Sequence, residues 1–440
     1  MTEQTRTSRL KKHIVYSFLL KGWAGVVQLL LVSATIGCLG DYKNGIWMTI
    51  ASILFWIDNL DIGLGNGLRN TLARYVAEGN MDKARESVST TFFMLILLII
   101  PILLATLILV YSIDINRLLG VDTNKVSNLF EVLAISICFI CATFVFKFIG
   151  NLYLGLQLPA VNNGLIVLGQ TLILIGVWLL NHQGVNSLKW VAVVYTLSPL
   201  LIYILAYPIT FYHKYPDLKP RISDFRYETV RKLLSFGLLF FVLQITGVIL
   251  FATSNIIISK LFSPELVTPY QVCYRYYSVV LMIFTVIGVP FWSATTDAFT
   301  RKDFSWIRKA VHNMHLVLLG LTLLLAVMVA MASPIYTLWI GKPLNISATL
   351  NIGMACYILI IMVSLSYSYI LNGIGKLHLQ IVCAVCAAIV FVPLASWLCL
   401  QMGLVGMILS LCLVNIPGMI CNMIQYKRIM NNTAKGIWRK

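Results

Sequence analysis

The chain is short of charge, and shortest of acid. Sixteen aspartates and glutamates and 33 lysines and arginines are spread over 440 residues, 11% in all, against 59% hydrophobic residues and a mean hydropathy of +0.86. A soluble protein cannot cover its surface at that charge density. The apolar runs lack the two-residue alternation of a closed barrel, which excludes that way of crossing a membrane. No glycine-rich phosphate loop is present, so an ATP-driven pump would need a separate subunit. No catalytic constellation is legible. The longest outer loop, 113–127, is too small for the reactive domain that a membrane glycan polymerase or ligase needs. His312-x-x-His315 has helical metal spacing but no carboxylate or cysteine beside it, so no metal site is expected. All ten cysteines fall in apolar runs, and Cys138-x-x-Cys141 and Cys383-x-x-Cys386 read as small packing residues rather than redox pairs. The basic N-terminus precedes a long span without a convincing cleavage site, which reads as a retained first helix.

What is abundant is apolar sequence in runs of about 20 residues, enough to cross roughly 30 Å of hydrocarbon. Twelve spans are expected, near 14–39, 44–63, 88–112, 128–155, 162–181, 190–212, 233–259, 266–297, 311–333, 349–372, 378–400 and 403–426. The fold class is therefore an all-α polytopic membrane protein. Of the 33 basic residues, 24 lie in the termini and the even-to-odd loops and six in the opposite loops. The positive-inside rule then puts both termini in the cytoplasm. The net charge of +17 is explained by topology and by contact with anionic membrane lipids, not by binding nucleic acid.

The polar segment Tyr212 to Lys232 divides the chain near its middle. Beyond it the sequence resembles a restart. Leu20 to Gln28 and Ser235 to Gln244 each carry an early glycine and a later glutamine. The stretch Asp58 to Arg85, glycine-rich and then amphipathic, is echoed by Phe291 to Lys309. Asn151-Leu152-Tyr153-Leu154-Gly155-Leu156-Gln157 is echoed by Tyr369-Ile370-Leu371-Asn372-Gly373-Ile374-Gly375. Together these argue for two six-helix lobes, 1–215 and 216–440, related by a parallel repeat. That is a transporter architecture.

Charges inside spans are the sharpest functional signal, because burying one costs about 2.5–3.5 kcal/mol even on the lenient insertion scale. Lys21, Lys147 and Arg275 are the three. Lys21 and Lys147 lie at similar depth, roughly 10 Å from the inner surface at 1.5 Å per residue. In one cavity the three cations would form a path for an anion such as a phosphate; alternatively they snorkel to the interfaces. Asp58 and Asp61, at the inner end of span two, are candidates for a salt bridge with Lys21 or Lys147, for capping the glycine-rich turn, or for holding a coupling cation. Arg275 stands among Tyr270, Tyr274, Tyr276 and Tyr277, which could stack on sugars or form an interfacial belt. Span ten is polar on one side, with Tyr367 and Asn372, through cavity lining or helix packing. Glu131, near an outer end, reads as solvated.

The residues also carry a family likeness. The run Tyr42 to Thr91 resembles polysaccharide-biosynthesis proteins of the Wzx type, lipid-linked oligosaccharide flippases of the MOP superfamily, which also holds the multidrug MATE exporters. Leu371-Asn372-Gly373-Ile374-Gly375-Lys376-Leu377 is similar to that family at a late helix. The resemblance implies a MATE-like fold and movement of a glycan on undecaprenyl diphosphate from the cytoplasmic to the periplasmic leaflet of the bacterial inner membrane. Lys21 and Arg275 match positions where such flippases place cations for the lipid diphosphate; Lys147 is a looser match. Tyr270, Tyr274, Tyr277, Tyr367 and Asn372 would then be glycan contacts, and Asp58 and Asp61 ion-coupling residues. No cofactor is implied beyond Na+ or H+ as coupling ion. Implied partners are the undecaprenyl-diphosphate oligosaccharide, membrane lipids, and a polysaccharide polymerase with its chain-length protein. A multidrug or cation antiporter is the alternative.

Overall fold

A computed structural model describes residues 3–58, 63–126, 128–156, 158–300 and 302–439; within these, the side chains of residues 3–18, 21, 66, 77, 232, 235–240, 243, 289–290, 293–294, 296–297, 300 and 439 are not described. The described residues form helices and turns, with no strand. The chain divides into two compact units, Met1–Ile245 and Thr246–Lys440. Among the described residues, eleven helices are long and apolar enough to cross a membrane, and the first of them counts twice. Helix α1, Glu3–Asp58, is broken at Gly40, whose φ of 69° is open to glycine and closed to most other residues. The two arms run in opposite directions. On the way out, Trp23 Nε1 donates to Thr171 Oγ1 at 3.1 Å and Cys38 Sγ to the Val185 carbonyl at 3.4 Å. On the way back, Lys43 Nζ donates to the Asn186 carbonyl at 3.0 Å, and Asp58 ends beside Lys147. Twelve spans result, as the apolar runs predict.

The first unit continues with helix α2, Leu64–Ala77, the amphipathic helix expected from the glycine-rich stretch; after it come α3, Met81–Ser112, and the short α4, Ile115–Leu119. Span four is not continuous: α5, Leu129–Phe146, and α6, Phe148–Gly155, meet at Lys147. Then come α7, Pro159–His182, and α8, Leu188–Pro208, whose end loosens into a π-helical turn, Ile209–Lys214. The core is apolar and aromatic, centred on Trp47, Phe144, Phe148 and Phe211, while Leu104, Ile108 and Leu205 face outward at more than half exposure. Such an apolar exterior is stable only against lipid. Buried hydroxyls return their hydrogen bond to the preceding turn of their own helix, as Thr35 does to the Leu31 carbonyl and Ser136 to that of Val132. Glu131 keeps 44% of its side-chain exposure, and its carboxylate also accepts from Lys189 Nζ at the start of α8.

The polar segment after α8 is laced to α3. Arg85 Nε bonds Asp224 Oδ2 at 2.7 Å, the amides of Arg221 and Arg226 donate to Ser89 Oγ and Thr90 Oγ1 at 3.0 and 3.1 Å, and Thr229 donates to Glu86. These four contacts explain why serine, threonine and charge cluster at the head of an otherwise apolar helix.

Helix α9, Tyr227–Leu261, leads into the second unit: α10, Pro264–Thr300; α11, Phe304–Ala330; α12, Ala332–Ile340; α13, Ala348–Ile374; α14, His378–Met402; and α15, Leu404–Met430. Its interior is knotted by Asn351, whose Oδ1 accepts from Tyr277 at 3.2 Å and Tyr336 at 2.6 Å, tying α10, α12 and α13 together.

The repeat is visible in matched contacts. A Cβ added to Gly155 would meet Leu72 and the Arg69 carbonyl at 3.0–3.1 Å; one added to Gly373 would meet Thr295 and the Trp292 carbonyl at 2.7 Å. Leu72 and Thr295, and Arg69 and Trp292, are each 223 residues apart. So are the residues that cap the next helix: the Asn80 side chain accepts from the Lys83 amide at 3.1 Å, and Asp303 from the Trp306 amide at 3.0 Å. The expected echo of the Asp58 to Arg85 stretch is thus offset. Phe291 to Lys309 does not hold a separate linker helix. Its first part ends α10 and its last part begins α11. The counterpart of α2 is the final stretch of α10, which runs unbroken because Val286 stands where the first unit has Gly63 with φ 79°.

Candidate functional site

The first unit contains a cavity of about 620 Å³ with a single acid and a single base among the described side chains that line it, Asp58 and Lys147. Both sit at helix ends. Asp58 is the last residue of α1. Lys147 occupies the break in span four, where its amide still closes α5 on the Thr143 carbonyl at 2.8 Å and its own carbonyl accepts early, from Gly150, at 2.9 Å. That tightening is a 3₁₀-like turn. Lys147 Nζ donates to Asp58 Oδ1 at 2.7 Å and to the Asp58 carbonyl. One ammonium therefore serves a carboxylate and a helix-terminal carbonyl, the two acceptors that a helix C-terminus offers a cation. The Asp58–Lys147 bridge is the pairing considered from the sequence, and it is open to the cavity: the two side chains keep 32% and 26% of their exposure.

Around the pair stand neutral polar groups, Thr143, Asn151, Asn162, Gln170, Tyr203 and Gln244, with Phe55, Ile140, Leu165 and Ile166 as apolar wall. Gly150 makes room for two of them. A Cβ there would lie 2.3 Å from Asn162 Oδ1 and 3.9 Å from the Tyr203 hydroxyl. Gln170 Oε1 is shielded from solvent and has no hydrogen-bond partner. The arrangement offers a cation already neutralised by a carboxylate, flanked by amide and hydroxyl donors, in a space large enough for a polar headgroup. Asn162 and Gln170 were visible in the sequence as rare polar residues of span five. Tyr203 gave no signal, because a tyrosine in an apolar helix is ordinary.

The remaining sequence candidates are scattered. Lys21 lies on α1 with its side chain outside the described residues, and Asp61 falls outside them altogether. Arg275 is half-buried on α10 in the second unit, its carbonyl accepting from Ser278 Oγ at 2.8 Å. Tyr270 and Tyr277 are buried, and Tyr277 spends its hydroxyl on Asn351. Tyr274 packs on the Phe251 ring at 5.4 Å between centroids. Tyr276 donates to the Met328 carbonyl at 3.1 Å. These rings therefore pack into the second unit's interior rather than form a belt. Tyr367, also buried, shares a 2.9 Å hydrogen bond with His315 Nε2, which occupies the histidine of the metal-like spacing. Among the described residues no cluster of ligating side chains is present. Asn372 ends α13, and its Oδ1 has no hydrogen-bond partner.

Comparison with known proteins places this arrangement in a lineage. A family model described as Polysaccharide biosynthesis protein matches residues 10–295, and one described as MatE matches residues 240–397. A curated Salmonella typhi protein named "Putative O-antigen transporter" is 22% identical over 422 residues, 93% of this chain and 94% of its own length. Among solved structures, an inward-facing multidrug resistance MATE family transporter of the MOP superfamily superposes with a TM-score of 0.80 at 15% identity, over 96% of this chain and 98% of that one. An outward-facing structure of such a transporter gives 0.69 at 16% identity, over 97% of each chain. At these identities the structural likeness speaks for the fold.

Proposed function

The chain belongs to the polysaccharide biosynthesis protein family, and from that premise we propose that it moves an undecaprenyl-diphosphate-linked oligosaccharide across the bacterial inner membrane, from cytoplasmic to periplasmic leaflet. The substrate is a repeat unit of O-antigen, capsule or exopolysaccharide, and both termini face the cytoplasm. The observation that carries this reading is the family match over residues 10–295, which encloses a polar cavity holding a cation. Lys147 is the diphosphate ligand of that cavity, with Lys21 and Arg275 as further cations on the route. Movement is by alternating access, with Na+ or H+ as coupling ion and Asp58 and Asp61 as the coupling carboxylates. The lipid tail stays in the bilayer throughout. Of the candidate glycan contacts, Asn372 has a side-chain oxygen without a partner, whereas Tyr277 and Tyr367 have their hydroxyls engaged and Tyr274 packs on Phe251. A polymerase and a chain-length protein are the expected partners downstream.

The test is translocation of a lipid-linked oligosaccharide in vesicles by the full chain and by Lys21→Ala, Lys147→Ala and Arg275→Ala, together with surface glycan in cells lacking the protein. Loss of transport in the variants and loss of glycan in the cells are expected. Full transport by all three variants would remove the cation route. The MatE match over residues 240–397 favours a second reading, a multidrug or cation antiporter. Drug resistance conferred by expression, with surface glycan unchanged on deletion, would decide for it.

A further inference from the structure

Among the described residues, no ion pair of the second unit corresponds to Asp58–Lys147. The matched contacts of Gly155 and Gly373, and of their partners 223 residues apart, set the equivalences. Counted back along the sequence at the same offsets, Asp58 aligns with Leu281 and Lys147 with Leu365. Thr143, which lines the cavity one turn before Lys147, corresponds to Ile361. The same helices are thus built in the second unit with apolar residues at these positions. Replacing an ion pair by well-packed apolar side chains is often neutral or stabilising. Fold maintenance therefore does not account for the pair in the first unit.

Three features suit it to exchange. The pair stands at the wall of a cavity rather than sealed in the core, with about a third of Asp58 and a quarter of Lys147 exposed. An ammonium has three donors, and two of those of Lys147 are spent on Asp58, one on the carboxylate and one on the carbonyl. Beyond these, among the described residues, Nζ meets only the Phe144 ring, at 5.7 Å from its centroid, a weak contact that an arriving charged acceptor can replace. Around the ammonium, the side chains of Asn151, Asn162, Gln170 and Tyr203 line the same space and carry amide and hydroxyl donors. A carboxylate and a phosphate are interchangeable ligands of an ammonium, since both present charged oxygens at the same hydrogen-bond distance.

We propose that Asp58 is a resident competitor: in the unloaded protein its carboxylate occupies the anion position on Lys147, and a phosphate group of the ligand displaces it there. Asp58 thereby sets how tightly the headgroup is held and keeps the empty cavity neutral. A lone lysine would hold the diphosphate more firmly and release it more slowly. The proposal rests on the flippase reading for the identity of the ligand, and concerns the same site.

The experiment uses the purified full chain in detergent, with farnesyl diphosphate, farnesol and inorganic diphosphate as probes, and the variants Asp58→Asn, Asp58→Ala, Lys147→Gln and Asp58→Asn/Lys147→Gln. Both Asp58 variants should bind farnesyl diphosphate at least about tenfold more tightly than the wild type, a shift of about 1.4 kcal/mol. Lys147→Gln should lose that binding whether or not Asp58 is present. Farnesol should respond to none of the changes. Equal gains for inorganic diphosphate would show that the headgroup alone is the competing anion; a gain confined to farnesyl diphosphate would show that the lipid is needed to bring it there. Either supports displacement. In vesicles, Asp58→Asn should lower KM and lower the maximal rate together, a split that a merely structural pair would not produce. Wild-type binding that both Asp58 variants leave unchanged or weaken overturns the competitor while leaving the flippase reading intact. Absence of farnesyl diphosphate binding in the wild type and in every variant overturns both.

Discussion

The matched glycines allow the repeat to be tested by one methyl group at a time. Gly155 and Gly373 occupy equivalent places, each pressed by a helix passing across it, but at different distances. Alanine at 373 would put its Cβ 2.7 Å from both Thr295 Cβ and the Trp292 carbonyl oxygen and 3.0 Å from Thr295 Cγ2. Ordinary carbon contacts lie at about 3.5–4.0 Å. Thr295 is β-branched on a helix and has little rotamer freedom, and a main-chain carbonyl cannot swing aside, so the helices themselves must part. Overpacking of this kind costs about 1–3 kcal/mol, against which alanine regains at most about 1 kcal/mol of helix propensity over glycine. The net expectation for Gly373→Ala is a loss of about 1–2 kcal/mol. At 155 the nearest atoms are 3.0–3.1 Å away and include the flexible end of Leu72. There the two effects nearly cancel, and Gly155→Ala should lie within about 1 kcal/mol of wild type. Thermal unfolding of the full chain in detergent reads the order directly. Gly373→Ala should melt lowest, with Gly155→Ala close to wild type. A Gly373→Ala protein as stable as wild type, or less affected than Gly155→Ala, would refute the close approach and with it the register of the repeat.

Three further outcomes are expected. Lys147→Ala should destabilise by about 1–3 kcal/mol, the lower part of the range for breaking an ion pair because both partners remain partly exposed; Asp58→Leu/Lys147→Leu, which copies the second unit, should melt near wild type, and both should fail in vesicle transport. Asn351→Leu should cost about 2–4 kcal/mol, because it leaves the Tyr277 and Tyr336 hydroxyls without their shared acceptor in the interior; calorimetry of the variant beside Asn351→Asp, which keeps the acceptor oxygen, separates lost hydrogen bonds from lost shape. The Asp303 carboxyl is held below its usual range by the Ser305 hydroxyl and the Trp306 amide. Its capping contribution is therefore fully present above the ordinary aspartate pKa and is lost as pH falls through the depressed one. Protection from hydrogen exchange at the first turn of α11, taken relative to the intrinsic rate at each pH, should fall on acidification across that window in the wild type, and Asp303→Asn should remove the dependence.

The sequence carried the membrane class and the number of spans because both depend on local composition: each run of apolar residues declares itself. It carried the hairpin between the first two spans for the same reason, since Gly40-Asp41-Tyr42-Lys43-Asn44 is a polar interruption. The amphipathic α2 was legible from its own residues. The correspondence of that helix in the second half was not, because the acid and base patterns do not follow the repeat, which is set by where a glycine admits a crossing helix. Lys147 was legible as a charge in a span, but the break it creates was not, since Phe146-Lys147-Phe148 has no breaker residue and the turn is tightened by its neighbours. The pairing of Asp58 with Lys147 joins residues 89 apart, and that of Glu131 with Lys189 residues 58 apart. Only the folded path brings such partners together. The second-unit tyrosines posed a related difficulty. Aromatic rings beside an arginine suit a sugar or a core equally well, and only the position of Asn351 shows where Tyr277 spends its hydroxyl.

The lacing of the polar connector to α3 bears on how the gene could be cut. Ser89, Thr90, Arg85 and Glu86 find their partners at Arg221, Arg226, Asp224 and Thr229. A chain interrupted ahead of residue 216 would yield an N-terminal product whose third helix carries three polar groups, Glu86, Ser89 and Thr90, without these partners and Arg85 with only Asp82, while one that retains residues 216–229 satisfies them internally. Two-piece or permuted versions of the protein should thus assemble best when the proline-bearing connector stays attached to the first product, although its composition alone marks it as a seam.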